Sequence, residues 1–289
     1  MTEKISGKRK LKCVILNGLM YMAVGVILLI LAGVIGYILY RGLGGINLDF
    51  LTNKPSLLYG TVGILPNILN TVYIILITLI IVLPIGVGAA IYLNEYATNK
   101  KVVRIIELAT ETLSGIPSII YGLVGMLIFV TFLKLETSLI AGSLTLVIMT
   151  LPTIIRTTQE SLKTVPNGYR EGSLALGAGK WYMIKSVVLP SAIDGIVTGC
   201  ILSVGRIVGE SAALLFTAGM ANEVLGIGEF FLPKKAGSTL TVALYMYAKE
   251  RGEFEIAFSI AAILLVLTFV INISAKIAAK LLKKKGANP

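Results

Sequence analysis

Within the run ILSVGRIVGESAALLF, residues 201–216, Arg206 and Glu210 stand one helical turn apart among apolar, small and hydroxylic neighbours. An arginine in the middle of a membrane costs on the order of 2.5–3.5 kcal/mol on insertion scales, so such a charge has a purpose. Two purposes compete. On a continuous helix Glu210 shares the face of Arg206 at i+4, and the two would neutralise each other as a structural ion pair, although basic-before-acidic is the weaker order. Alternatively, Arg206 serves a polar path through the membrane, with Glu210 holding the guanidinium and moderating its pull so that a bound ion can leave. The stretch SGIPSIIYG, 114–122, adds the hydroxyls of Ser114, Ser118 and Tyr121, which can donate to an anion; Pro117 and its flanking glycines read equally as a packing kink. Other chemistry is scarce. The chain has no histidine, which excludes His-based metal sites and Ser–His or Cys–His catalysis. Its two cysteines, Cys13 and Cys200, lie far apart and read as small apolar residues, not a redox pair.

The elements that must carry these groups are membrane spans. The 289 residues are 56% hydrophobic and only 14% charged, a composition outside the soluble class. Six apolar runs, at 15–40, 67–94, 113–133, 138–156, 191–217 and 256–279, approach the roughly 20 residues a helix needs to cross about 30 Å of hydrocarbon. The first lacks a small-residue cleavage site and reads as a retained span, not a signal peptide. The formal net charge of +11 is not spread as a nucleic-acid-binding face. Lysine and arginine gather at alternate ends of the runs: Lys4 to Lys12, Lys100 to Arg104, Arg156 to Lys185, and Lys276 to Lys285. The positive-inside rule therefore places both termini in the cytoplasm, as six spans require. Arg206 then lies roughly 22 Å from the cytoplasmic end of the fifth span at 1.5 Å per residue, inside the bilayer. The long external connection, 218–255, mixes aromatics with charges and reads as an interfacial segment or a docking surface.

The long cytoplasmic connection is the most patterned. YREGSLALGAGKWYMIKSVVLP, 169–190, is too charged to span. It predicts a short helix after Pro166, a break at Gly177 and Gly179, and a second helix stopped by Pro190. Leu174, Ala175 and Leu176 at the turn form an apolar knob suited to a groove on another protein. The spacing resembles the "EAA" loop of binding-protein-dependent ABC importer permeases. Glu171, Gly177, Leu189 and Pro190 fall on the family pattern, Val187 replaces its isoleucine, and Gly172 and Ser173 stand in for its two alanines. In that family the loop docks into a cleft on a separate ATPase. The resemblance thus implies coupling residues Glu171, Gly172, Ser173, Leu174, Ala175, Gly177, Leu189 and Pro190. Consistently, no P-loop is present: GAGKW, 177–181, misplaces the first glycine and has Trp181 where the Mg²⁺-binding hydroxyl belongs.

Further stretches narrow the resemblance: ILPNILNTVYI, PIGVGAAIYLNEYA, SGIPSIIYGLVG, LPTIIRTTQESLKTVPNGYREGSLALGAGKW, VVLPSAIDGIVTG and GRIVGESAALLFTAG. Together they cover roughly 64–220 and are similar to one of the two permease subunits of bacterial phosphate importers. The resemblance implies an all-α membrane protein with six transmembrane helices, both termini cytoplasmic and a type I ABC importer permease fold. Residues 1–66 would form an N-terminal transmembrane helix and first extracytoplasmic segment. Residues 67–282 would form the importer transmembrane domain, with its coupling loop at about 160–190. It implies a chain that is no enzyme and binds no cofactor, ATP and Mg²⁺ belonging to the partner ATPase. The implied partners are a homologous sister permease, two ATPase copies, an extracytoplasmic phosphate-binding protein and membrane lipid, in a bacterial or archaeal cytoplasmic membrane. Arg206, Glu210, Ser118 and Tyr121 would line the substrate path, with arginine's planar fork matched to a tetrahedral oxyanion. If Glu210 neutralises Arg206, a second cation from the sister subunit is required. Rival readings are a permease for phosphonate, sulfate or molybdate, and a stand-alone secondary transporter or channel.

Overall fold

A computed structural model describes residues 7–55, 62–222 and 235–286, and they are helical wherever they are regular. Four helices are long and apolar enough to cross a membrane: α1 (Gly7–Gly42), α3 (Leu65–Ile91), α6 (Leu139–Thr164) and α13 (Phe254–Gly286). The short α2 (Leu48–Thr52) links the first two, its N-cap Asn47 accepting the Phe50 N–H at 2.7 Å. Two of the long helices, α3 and α6, begin where sequence chemistry starts one. Pro66 occupies the first turn of α3, where its missing N–H is harmless, and the Ser138 hydroxyl caps α6 by accepting the Ala141 N–H at 3.3 Å. α6 is the central pillar, with 67% of its most apolar stretch buried, whereas none of the corresponding stretch of α1 is buried. The reason is composition. α6 carries Gly142, Ser143, Thr145 and Thr150 on buried faces, and each hydroxyl is satisfied within the helix, as Thr145 is by the Ala141 carbonyl at 2.8 Å. Small residues let α3 and α10 approach closely, and in lipid close packing, not apolarity, drives association.

The remaining two spans are bent. α4 (Lys100–Ser114), capped by Asn99, meets α5 (Ser118–Gly125 and its continuation to Phe132) at 100°. The helix of the third apolar run therefore starts at Ser118, not 113: Pro117 disfavours helix at Ile116, and Pro117 itself is extended, with ψ 139°. α4 is amphipathic and has no buried residue. The fourth span is longer than predicted, continuing past Arg156 to Thr164. Arg156 pairs with Glu160 at 3.0 Å and Glu111 at 3.5 Å on the exposed side of the helix.

The cytoplasmic loop forms α7 (Asn167–Ala175), a turn at Gly177, and a second arm running from α8 (Lys180–Met183) through a π turn into α9 (Leu189–Ser191). Pro190 does not stop this arm. It sits in the first turn of α9, where no hydrogen bond is asked of its nitrogen, and the 65° bend into α10 (Ile193–Val208) falls at Ala192. The fifth span also departs from prediction, because α10 ends at Val208 and a separate α11 (Ala212–Thr217) follows. The external connection is only partly surface. Residues 223–234 of the predicted interfacial segment lie outside the described residues. Ser238, Thr239, Leu240 and Val242 turn back into the bundle and are buried at the start of α12 (Leu240–Tyr245).

The main core joins α3, α5, α6, α10, α11 and α12 through Ile74, Tyr121, Met149, Ile207, Leu214 and Val242. Gly122 shows how tight it is: a Cβ there would lie 2.7 Å from the Ala213 Cα, a backbone atom that cannot swing aside. Gly122→Val is expected to cost about 1–3 kcal/mol through overpacking. That corresponds to a fall of roughly 2–10 °C in a thermal scan of the purified protein.

Candidate functional site

Arg206 stands near the end of α10, beside a stripe of exposed residues. Asp194, Thr198, Leu202, Gly205 and Gly209 recur every three or four residues along this stripe and are all exposed. Around Gly205 no atom lies within 4 Å of a would-be Cβ, and Gly209 meets only backbone oxygens of its own turn. The guanidinium is thus flanked by residues without side chains. Arg206 is half-buried, and among the described residues it forms no ion pair or hydrogen bond. Ile207, the next residue, packs in the same buried cluster as Tyr121 of α5. Tyr121 is buried and donates to the Leu113 carbonyl at 2.8 Å, so its proton is spent on α4 in this conformation. Ser118, one turn earlier, is half-buried at the opening of α5.

The pairing of Arg206 with Glu210 is not realised. The i+4 argument needs a continuous helix, and α10 ends between them. Glu210 is 8% exposed, and its Oε1 accepts the Ala213 N–H at 3.0 Å, capping α11. A carboxylate at a helix start is favourable and offers the backbone an alternative to continuing α10. The Glu210 carbonyl in turn accepts from Thr241 Oγ1 at 3.1 Å. Of the four path residues, the structure places Arg206 next to the buried cluster that holds Tyr121, Ser118 one turn before Tyr121, and Glu210 turned into the interior.

A buried polar layer went unread in the sequence. Asn67 Nδ2 donates to Asn222 Oδ1 at 3.0 Å, to the Ser238 carbonyl at 3.2 Å and to the Ser238 hydroxyl. Asn70 Nδ2 reaches the same carbonyl at 3.2 Å, and Thr71 Oγ1 accepts the Leu240 N–H at 2.9 Å. These bonds hold 238–241 inside the bundle and satisfy backbone that would otherwise be orphaned in hydrocarbon. A signal existed: Asn67, Asn70 and Thr71, at i, i+3 and i+4, put three polar groups on one face of an apolar run.

At the cytoplasmic end, the loop formed by α7 to α9 presents its apolar knob outward. Leu176 is 90% exposed, Leu174 48%, and Glu171, Gly172, Ala175 and Gly177 are exposed beside them, with Ser173 half-buried. Gly177 adopts φ +84°, the left-handed conformation that reverses the chain between the two arms. A hollow of about 610 Å³ lies against this turn, lined by Tyr169, Gly172, Ser173, Leu176, Gly177 and Tyr182 among others. Leu189 and Pro190 are not part of the knob; they lie half-buried on the return arm, next to the bend at Ala192.

A bundle of crossing apolar helices with a charged residue within it and an exposed apolar knob at one end is the architecture of a multi-pass membrane protein. The chain belongs to the family described as binding-protein-dependent transport system inner membrane component, which matches residues 82–285. In this family the permease is the non-catalytic, multi-pass membrane subunit, and ATP is hydrolysed by a separate ATPase. The probable ABC transporter permease protein YqgI of Bacillus subtilis is 35% identical over 289 residues, covering 96% of this chain and 98% of that one. The phosphate transport system permease protein PstA of Pasteurella multocida is 30% identical over 271 residues, covering 93% and 95%. That of Xylella fastidiosa (strain Temecula1) is 37% identical over 180 residues, covering 62% of each chain. Among solved structures, a bacterial alginate ABC transporter in complex with its alginate-bound periplasmic protein gives a TM-score of 0.66 at 13% identity, covering 98% of this chain and 99% of that one. The MetNI methionine ABC transporter in an inward-facing conformation gives 0.60 at 21% identity, covering 76% and 94%. These two likenesses bear on the fold, which is that of type I ABC importer permeases.

Proposed function

We propose that this chain is one of two permease subunits of an ATP-driven importer for inorganic phosphate in the cytoplasmic membrane. The observation that carries the proposal is Arg206, a guanidinium without an ion pair among the described residues, beside the open, glycine-containing stripe of a membrane-spanning helix, in a chain similar to PstA over 93% of its length.

In this reading the open stripe of α10 faces the sister permease, and the path runs between them. Arg206 meets the oxyanion with two parallel N–H donors and keeps its charge at any working pH. Ser118 and Tyr121 contribute hydroxyls at the same wall, Tyr121 only after releasing the Leu113 carbonyl. Glu210 acts by fixing where α10 ends and so where Arg206 projects, not by neutralising it. Because no described residue cancels the charge, this reading does not require a second cation from the sister subunit. An extracytoplasmic binding protein delivers the ion. Two ATPase copies hold ATP and Mg²⁺, and this chain binds neither. Closure of the ATPases pulls on the exposed Leu174–Leu176 knob and turns the spans from inward-open to outward-open, and hydrolysis resets them.

The test is uptake of labelled phosphate into vesicles containing this chain with its sister permease, ATPase and binding protein. Uptake should require ATP and resist a tenfold excess of sulfate or molybdate. Equal competition by either would reassign the substrate, and uptake without the ATPase would overturn the ATP-driven reading.

A further inference from the structure

Arg170 and Glu95 are 75 residues apart in sequence and form the most enclosed ion pair among the described residues, with side-chain exposures of 15% and 6%. Glu95 lies in the π turn Tyr92–Tyr96 that finishes the second span, and Arg170 lies on α7, immediately before the exposed Glu171. The guanidinium reaches Glu95 Oε1 from Nη2 at 2.8 Å and from Nε at 3.2 Å. It also donates from Nη1 to the Val165 carbonyl at 2.6 Å and Asn167 Oδ1 at 3.5 Å, and from Nη2 to the Leu162 carbonyl at 2.8 Å. All of arginine's N–H groups are thereby engaged, and their acceptors belong to the end of span two, the end of span four and α7 itself.

The next residue repeats the pattern on the other arm of the loop. Lys180 Nζ sits 4.8 Å from the ring centroid of Tyr96. Residues 95 and 96 thus hold both arms, with the Gly177 turn between them. Below them an apolar cluster of Ala90, Ile91, Leu162, Met183, Ile184 and Val188 fills the space between the same elements. The other ion pairs near this end, Arg156–Glu111, Arg156–Glu160 and Lys163–Glu107, all involve a side chain at least 57% exposed, the kind that contributes little.

We propose that Arg170 and Glu95 are positioning residues that clamp the coupling loop to the inner end of α3, so that loop and span move as one body when the ATPase moves the knob. Without the clamp, displacement of α7 is absorbed at the Val165–Pro166 link. The outer end of α3 carries Asn67, Asn70 and Thr71, which hold the segment whose Thr241 binds the Glu210 carbonyl. The clamp therefore ties the ATPase contact to a helix that bears on the path. This inference rests on the coupling role of the loop and does not depend on which ion is carried.

The test uses the complete importer in lipid, with Cys13 and Cys200 replaced by serine. Spin labels at the exposed positions Tyr92→Cys and Gly168→Cys report the distance between the end of α3 and α7. With Arg170 and Glu95 intact, that distance should be the same in the nucleotide-free and ATP-trapped states, and with Glu95→Gln it should shift or broaden on trapping. Transport per ATP hydrolysed should fall about tenfold in Glu95→Gln, with ATPase copurification retained and the double variant Glu95→Gln/Arg170→Gln no worse than the poorer single one. Arg170→Lys, which keeps the charge and loses the fork, gives the same reading if Glu95→Gln does not assemble. A shift of more than about 5 Å, one helical turn, with the clamp intact would overturn the proposal. So would an unchanged distance in both variants, or a loss of transport matched by loss of copurification. Failure of the unmodified importer to carry phosphate would instead refute the substrate reading, and the distances alone would then decide the clamp.

Discussion

Arg206→Gln is expected to reduce ATP-driven phosphate uptake at least 100-fold, while the subunits still assemble and the ATPase still docks. Glutamine keeps a polar, uncharged side chain of similar reach, so the loss is that of the charge and of the paired donors. Hydrogen bonds to charged groups contribute about 1.5–3 kcal/mol each, and two of them account for roughly 3 kcal/mol or more, about a hundredfold or more in binding. Thermal stability should be unchanged or slightly raised. In the described residues Arg206 has no ion pair to lose, and the substitution removes a charge that is costly in the membrane. Had Arg206 and Glu210 been a structural pair, the same variant would leave a buried carboxylate unpaired and destabilise the fold. Measuring the melting temperature alongside uptake therefore separates the two roles.

Leu176→Asp is expected to break the contact with the ATPase while sparing the membrane bundle. Leu176 is 90% exposed at a left-handed turn, so its side chain is not part of the buried packing of the described residues. Anchors that fill a pocket on a partner contribute about 2–4 kcal/mol, equivalent to roughly 30- to 1000-fold in affinity. Copurification of the ATPase should fall on that scale, with the melting temperature of this chain unchanged. Glu171→Lys, on the same exposed face, should weaken docking in the same assay. A Leu176→Asp protein that melts earlier but still carries its ATPase would show that the knob is an internal packing element.

The parts legible in the sequence were those set by local pattern. α1, α3, α6 and α13 follow from uninterrupted apolar runs, and the Gly177 turn from a glycine between two charged arms. What escaped was set by distant partners. The Asn67 layer is closed by bonds to Asn222 and Ser238, 155 and 171 residues away, so a hydropathy reading left 237–243 at the surface when it is inside. Arg170 reads as one more cytoplasmic cation until Glu95 is seen beside it. The Arg206–Glu210 pairing failed for a local reason: the carboxylate that was to bind the guanidinium binds the N–H of Ala213 instead, ending the helix on which the pairing relied. Pro117 and Pro190 show that a proline's position within a turn matters more than its presence. The first forces a 100° bend, and the second passes through the opening of a new helix.

The central claim, that the ion meets the positive charge of Arg206, is tested most directly by removing that charge and putting one back. In an importer whose Cys13 and Cys200 are serine, Arg206→Cys should abolish phosphate uptake. Modification with a methanethiosulfonate reagent carrying an ethylammonium group should restore part of it, and the reagent carrying an ethylsulfonate should not. Restoration by both reagents, or full uptake by the unmodified Arg206→Cys protein, would contradict a path that depends on a cation at this position.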